Sequence, residues 1–156
     1  MRSNRVIKRI HSYGIAIHGF FIFGFDEEDE DVFARTVSFA RKARLETAQF
    51  DYLTPYPGTA FGESLDRAGR IVTKDWARYG FELVFEPRSM TREMLQNGHD
   101  WVWSEFYSLP SIWRRLRIRH PHPWVFWIAN LAFRAQRRKE RQANSKKFRE
   151  VLGKRR

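Results

Sequence analysis

The chain has 156 residues, of which 42% are hydrophobic and 16% aromatic, so it can bury the core of one domain. It contains no cysteine, which excludes disulfides and cysteine-based metal sites. The net charge of +11 is uneven, because residues 111–156 contain 15 Lys and Arg against two Asp and Glu, whereas residues 1–110 contain 14 against 16. The basic character belongs to the C-terminal segment, and nucleic-acid binding by the whole chain does not follow from it.

The N-terminal residues predict a helix and then a buried strand. Residues 3–12 have an amphipathic pattern without the apolar core of a secretory signal, so we expect a cytoplasmic protein. Residues 14–26 form an apolar run of Ile and Phe bounded by glycines. Such a run predicts a strand buried on both faces, which is typical of parallel sheets.

A helix and a second strand follow. Residues 26–31 are six consecutive acids that lead a helix over residues 32–44, where they oppose the positive end of the helix dipole. These acids lack the spacing and glycine of a calcium loop, which favours a solvated helix start over a metal or proton-transfer site. Residues 47–54 predict a strand that ends at Pro55 and Pro57. Strand, helix and strand together predict a βαβ unit.

Two segments of this unit make the chain resemble radical S-adenosylmethionine enzymes. They are GFFIFGFD at 19–26 and LTPYPGT at 53–59, and the resemblance is to the cobalamin-binding subgroup with its hopanoid- and chlorophyll-pathway members. In that family these segments are similar to the fifth and sixth strands of a partial (β/α) barrel. The resemblance therefore implies an α/β fold, with a partial barrel segment and a mainly helical C-terminal extension. Weaker likeness extends it over roughly residues 5–120, at 69–71, 75–76, 85–87 and 90–91.

The resemblance implies cofactors and a binding site. The intact family uses S-adenosylmethionine, a four-iron–four-sulfur cluster and, in this subgroup, cobalamin. By analogy, Phe20, Ile22 and Gly24 shape the wall where the adenine and ribose of S-adenosylmethionine lie. Pro55 and Tyr56 belong to a rigid loop at the barrel mouth. The alternative is a packed core strand with a stiff connector, and the residues alone leave both open.

The chain also departs from the family. Its members hold the cluster on three cysteines in a CxxxCxxC motif, and thiolates are required for that ligation. This chain has no cysteine and lacks the cobalamin-binding region. The sequence therefore predicts a fragment that is inactive alone, has no catalytic or metal-binding residue, and pairs with the missing N-terminal part or another chain. Two alternatives remain: a noncatalytic membrane-surface or partner-binding module, and a nucleic-acid binder, which the nearly neutral body disfavours.

Three segments are predicted: a barrel segment over 1–87, a helical extension over 88–121, and an aromatic then basic helical tail over 122–156. We predict that Thr91 caps a helix and that Pro110 interrupts the chain. The flanking His120 and His122 are too few for a metal site. The remaining predicted elements are a helix at 60–68, a strand at 81–85, and helices at 91–107, 111–119 and 124–152.

The tail suggests a membrane surface. A stretch rich in Arg and Lys follows Trp124, Phe126, Trp127 and Phe133. This pattern is typical of helices that lie on anionic bilayers, so residues 124–156 predict contact with an anionic membrane surface. The apolar run is shorter than the ~18 residues needed to span a bilayer. Two other interpretations stay open: packing of the apolar turns on the body, and nonspecific nucleic-acid binding.

Overall fold

The structure is a computed structural model that describes residues 2–80, 82–116 and 123–153. These residues form a mixed α/β arrangement with one parallel sheet of two strands, and no barrel is seen among them. In chain order the elements are α1 (Arg2–Ser12), β1 (His18–Phe23), α2 (Asp31–Lys42), β2 (Thr47–Tyr52), α3 (Ala60–Arg67), a 3₁₀ turn (Trp76–Arg78), α4 (Arg92–Phe106), α5 (Leu109–Leu116) and α6 (Pro123–Gly153).

The predicted βαβ unit is confirmed. Strands β1 and β2 pair in parallel, in a register that runs from His18 opposite Thr47 to Phe23 opposite Tyr52. Helix α2 connects them, and its buried side chains pack on one face of the sheet. On that face Phe50 stacks on the ring of Phe23 and on the ring of Phe21, at 6.3 and 5.4 Å between centroids.

No helix among the described residues covers the other face of the sheet, so the prediction that β1 is buried on both faces is wrong. Burial alternates along the strand, and Phe20 and Ile22 are 65% and 46% exposed. The reason is that α2 and α4 both lie on the side of Phe50. We refer to the uncovered side as the open face, and its residues are His18, Phe20, Ile22, Thr47, Gln49 and Asp51.

Helix α4 packs beside α2 on the same face of the sheet, where its Phe106 contacts Phe50 of β2. Thr91 caps it as predicted, because its Oγ1 accepts a hydrogen bond from Met94 N at 3.1 Å. Gly98 lets α4 approach α2 closely. A Cβ atom at this position would lie 2.2 Å from the ring of Phe33. The absence of a side chain at Gly98 thus sets the distance between the two helices.

The predicted strand over residues 81–85 is not found. Phe81 lies outside the described residues, and the others make only an isolated antiparallel bridge between Ile71 and Phe85. Leu83 and Phe85 are nevertheless buried in the core. Arg92 donates hydrogen bonds to the carbonyl oxygens of both, at 2.8 and 3.2 Å. An arginine thus takes the acceptors that a neighbouring strand would have used.

The predicted interruption between two helices is found, but at residues 107–108 and not at Pro110. Helix α5 begins at Leu109, so Pro110 lies in its first turn. A proline is tolerated there because the amide N–H groups of the first turn have no partner within the helix. The prediction that a helix covers 111–119 is confirmed as far as residue 116, while 117–122, with both histidines of that segment, lie outside the described residues.

A buried arginine joins the C-terminal helices to the sheet. Arg115 of α5 is 1% exposed and donates to the carbonyl oxygens of Leu45 and Phe106, at 2.6 and 3.1 Å, and to Asn130 Oδ1 at 2.8 Å. Asn130 of α6 in turn donates to Glu46 O at 2.9 Å. The single core therefore draws on all three predicted segments, and their division at residues 87 and 121 stays a prediction.

Candidate functional site

The carboxyl ends of β1 and β2 meet at one edge of the sheet. Leu53 N donates to Phe23 O at 2.8 Å, so the pairing extends one residue beyond the strands. The loops 24–26 and 53–56 therefore leave the sheet side by side. In open α/β sheets, ligands bind beyond the carboxyl ends of parallel strands. This edge and the adjoining open face are the candidate site.

The open face has one apolar strand and one polar strand. The register places Phe20 opposite Gln49 and Ile22 opposite Asp51. Gln49 Nε2 lies 3.2 and 3.1 Å from the two carboxylate oxygens of Asp51 and donates to them. The ring of Phe20 packs against the edge of His18 at 4.9 Å between centroids. The face thus presents a fixed aromatic ring and an oriented carboxylate.

Gly24 forms the turn that ends β1. Its φ of +113° is in the region that favours glycine, and a Cβ atom would lie 3.0 Å from the ring of Phe85. Its N–H donates to Glu28 Oε2 at 2.7 Å. The residue is buried, and these contacts account for the glycine by backbone geometry. The predicted contact of Gly24 with a cofactor stays a prediction.

An ion pair fixes the same edge. Arg70 donates to both carboxylate oxygens of Asp26, at 2.8 and 2.6 Å, and to Glu86 O at 2.8 Å. Ser89 Oγ also donates to Asp26 O. The hydrogen bond from Arg70 holds the pKa of Asp26 below its usual range, so this carboxylate stays ionised and is a poor proton acceptor. Sequence reasoning missed this pair because 44 residues separate its members.

The loop after β2 is held by α3. Pro55 is buried and Tyr56 is half exposed. Thr59 caps α3 by accepting from Gly62 N at 3.1 Å. A Cβ atom at Gly62 would lie 2.3 Å from Tyr56 O, so the loop backbone rests directly on the helix. The Tyr56 ring lies 6.4 Å from that of Tyr79, at the surface of this edge.

The histidines do not form a metal centre in the part of the chain that the structure describes, where no group of three or more His, Cys, Asp or Glu side chains could hold an ion. His18 is exposed on the open face and forms a hydrogen bond with Thr47 Oγ1 at 2.7 Å. His99 is buried in the core, where its Nε2 lies 2.8 Å from Phe50 O and is satisfied by that hydrogen bond.

The structure thus gathers the predicted site residues at one end and one face of the sheet. Phe20 and Ile22 lie on the open face, while Gly24, Pro55 and Tyr56 follow the two strands. Sequence reasoning missed the polar half of this face. A period of two in residues 47–52, with polar side chains alternating with Ala and Phe, is the pattern that indicates it.

Comparison with known proteins finds sequence similarity of this chain to methyltransferases. No family profile matches it. It is 34% identical over 134 residues to bacteriochlorophyllide d C-12(1)-methyltransferase of Chlorobaculum tepidum, covering 85% of this chain and 29% of that protein. It is 29% identical over 107 residues to an uncharacterized methyltransferase of Pyrococcus horikoshii, covering 68% and 23%. Bacteriochlorophyllide d C-8(2)-methyltransferase of C. tepidum is 25% identical, covering 84% and 29%. The chain spans less than a third of each relative.

These comparisons correct the identification that segments 19–26 and 53–59 suggested. The matched relatives are named as methyltransferases, and none is named as a radical S-adenosylmethionine enzyme. The iron–sulfur cluster does not fit this chain's own residues, since it has no cysteine. The names of these relatives do not support the predicted use of cobalamin either. The chain is similar in sequence to part of several methyltransferases.

Proposed function

We propose that the chain forms part of a methyltransferase that uses S-adenosylmethionine, and that the open face lines its binding site. The sequence support is the identity of 34% over 134 residues to a protein named as a methyltransferase. Because the chain spans 29% of that relative, the remaining length, or another chain, supplies the rest of the active site. Inactivity of the isolated chain belongs to the same proposal.

The observation that carries the proposal is the exposure of Phe20 and Ile22 beside Asp51. Apolar side chains on a sheet face that no helix covers mark a surface for a ligand or another chain. An adenosyl group combines a flat aromatic ring, which can stack on apolar side chains, with two ribose hydroxyls. Phe20 and Ile22 offer a surface for the ring, and the carboxylate of Asp51, directly opposite Ile22 in the register, accepts hydrogen bonds from hydroxyls.

The chain's own residues bind and orient the cofactor, while bound S-adenosylmethionine supplies an electrophilic methyl group. Gln49 holds the Asp51 carboxylate through its amide. The pair Asp26–Arg70 fixes the loop next to the site. Tyr56 has a half-exposed phenol at the carboxyl edge, where it is placed to contact a substrate. We assign no proton transfer to the residues of this chain that the structure describes.

The arrangement also supports a partial (β/α) barrel in the larger protein. One face of the parallel pair is covered by helices and the other is open, as on a barrel strand whose inner face lines the site. Further parallel strands from the remaining length of the protein would extend the sheet of β1 and β2.

Calorimetric titration of the 156-residue chain with S-adenosylhomocysteine tests the proposal. We expect Phe20→Ala and Asp51→Asn each to weaken binding about tenfold, through lost ring contact and a lost charge-assisted hydrogen bond. Trp101→Ala is the matched control, because this ring is exposed on α4, away from the open face. Binding that none of the variants alters, or no binding by the parent chain, would contradict the proposal.

A further inference from the structure

We infer that helices α5 and α6 form a docking surface for anionic phospholipid bilayers, independently of the proposed function. The first observation is an apolar outer side on α6. Trp124, Ile128 and Leu131 lie at the spacing of one helix face and are exposed, with Trp124 at 61%. The opposite side of α6 faces the protein, because Asn130 is buried and Phe133 packs on the core. An apolar strip thus faces outward where a solvated helix would be polar.

Helix α5 extends this strip. Leu109 and Trp113 lie four residues apart on its outer side, and Trp113 is 60% exposed. The ring of Trp113 lies 5.7 Å from that of Trp127 on α6, in an edge-to-face contact. The outer sides of the two helices therefore adjoin.

A cationic cleft lies beside Trp113. Its volume is about 470 Å³, and it is lined by Arg41, Arg44, Trp113 and Arg114. Arg41 is occupied, since it donates to Glu105 Oε1 at 2.6 Å and to Ser111 Oγ at 3.1 Å. The side chains of Arg44 and Arg114 make no hydrogen bond or ion pair with the residues that the structure describes. Two guanidinium groups next to an exposed indole are thus left for an external anion.

The backbone of Arg44 is the most specific feature of the cleft. Its φ is +58°, the left-handed conformation in which many helices end, usually with glycine. Leu45 N donates to Ala40 O at 3.1 Å, as this type of helix end requires. A side chain is disfavoured in this conformation. The side chain of Arg44 is therefore held at the C-terminal end of α2, where it lines the cleft.

These features fit a bilayer that carries phosphate groups. Guanidinium groups pair with phosphate oxygens through two parallel hydrogen bonds. Indole rings lie at the level of the lipid headgroups. Residues 111–156 contain 15 Lys and Arg against two acids, which adds attraction to anionic lipid. A nucleic acid would use the cations but not the apolar strip. The residues of the proposed docking surface are Arg44, Trp113, Arg114, Trp124, Ile128 and Leu131.

Vesicle binding by the full chain tests this inference. Vesicles of phosphatidylcholine with phosphatidylserine are compared with phosphatidylcholine alone, by sedimentation and by tryptophan emission. We expect binding to the anionic vesicles with a blue shift of the emission. Trp124→Ser should weaken binding more than about tenfold, through lost ring burial. Arg44→Gly should weaken it about fivefold without lowering Tm, because glycine suits the local backbone.

Two control variants make the result specific. Lys74→Ser removes the same charge from a side chain that is paired with Asp66 at 2.8 Å and does not line the cleft. Trp101→Ser removes an exposed ring from α4. Both should bind vesicles within about twofold of the parent chain. The inference is overturned if the parent chain does not bind the anionic vesicles. It is also overturned if Arg44→Gly binds them as tightly as Lys74→Ser, or if Trp124→Ser binds them as tightly as Trp101→Ser. Loss of all vesicle binding to a competing DNA duplex would also overturn it, in favour of nucleic acid.

Discussion

Replacing Arg115 by Met should destabilise the protein, because the guanidinium satisfies several buried acceptors. It donates to three backbone carbonyls and to Asn130 Oδ1, at 2.6 to 3.1 Å, and lies 3.7 Å from the centre of the Phe106 ring. Hydrogen bonds from a charged donor are worth about 1.5–3 kcal/mol each. Burial costs the cation several kcal/mol, and it lowers the pKa of Arg115 to about 10. The bonds outweigh this cost, so we expect a loss of about 3 kcal/mol.

Urea unfolding followed by circular dichroism gives the free energy of unfolding and its denaturant slope. Arg114→Met is the matched control, because its side chain is exposed on the same helix and should change stability by less than about 0.5 kcal/mol. Arg115→Lys keeps the charge but loses the planar fork, and should cost about 2 kcal/mol. If Arg115→Met equals or exceeds the parent in stability, the cost of burying the cation dominates and the reasoning is refuted.

Three further predictions follow from the core and the ion pair. Gly98→Ala should cost about 1–2 kcal/mol by overpacking against Phe33, and Phe33→Leu in the same chain should recover part of it, as unfolding of the single and double variants will show. Burial raises the pKa of Tyr107 to about 12, so the buried neutral phenol contributes fully to the free energy of unfolding below pH 10, and this contribution is lost as the pH rises to 12. Tyr107→Phe should therefore lose less stability than the parent between pH 10 and 12, as thermal melts across this range will show. Arg70 lowers the pKa of Asp26, so this pair stabilises above about pH 4 and is lost in acid; Asp26→Asn should make acid unfolding shallower below that pH, and an unchanged acid limb would count against the pair.

The local sequence pattern predicted the βαβ unit, because each of its strands and its helix is determined by residues that are close in sequence. The acidic start of α2, the cap Thr91 and the prolines after β2 all act within a few positions. Whether a face of the sheet is covered depends instead on where distant helices pack. The exposure of Phe20 could therefore not be predicted from the apolar run that contains it.

Polar contacts between residues far apart in sequence, in the candidate site and in the core, were harder still to predict. The pair Asp26–Arg70 and the bonds of Arg115 to Leu45 and Glu46 join positions 44 to 70 residues apart. No local pattern specifies such partners, because any exposed acid or carbonyl would serve a lone arginine equally well. The same limit applies to the tail. Its composition indicated a membrane surface, but the structure places Phe133 of the predicted aromatic set against the core.

The most direct test of the proposed binding site is to map S-adenosylhomocysteine onto the chain by nuclear magnetic resonance. Amide and side-chain shifts of the 156-residue protein are recorded as the ligand is added. The proposal predicts the largest shifts at Phe20, Ile22, Gln49 and Asp51, on the open face, with smaller ones at Tyr56. Shifts confined to the helical side of the sheet, or no shifts at a saturating concentration, would contradict the proposal that the open face holds the cofactor of a methyltransferase.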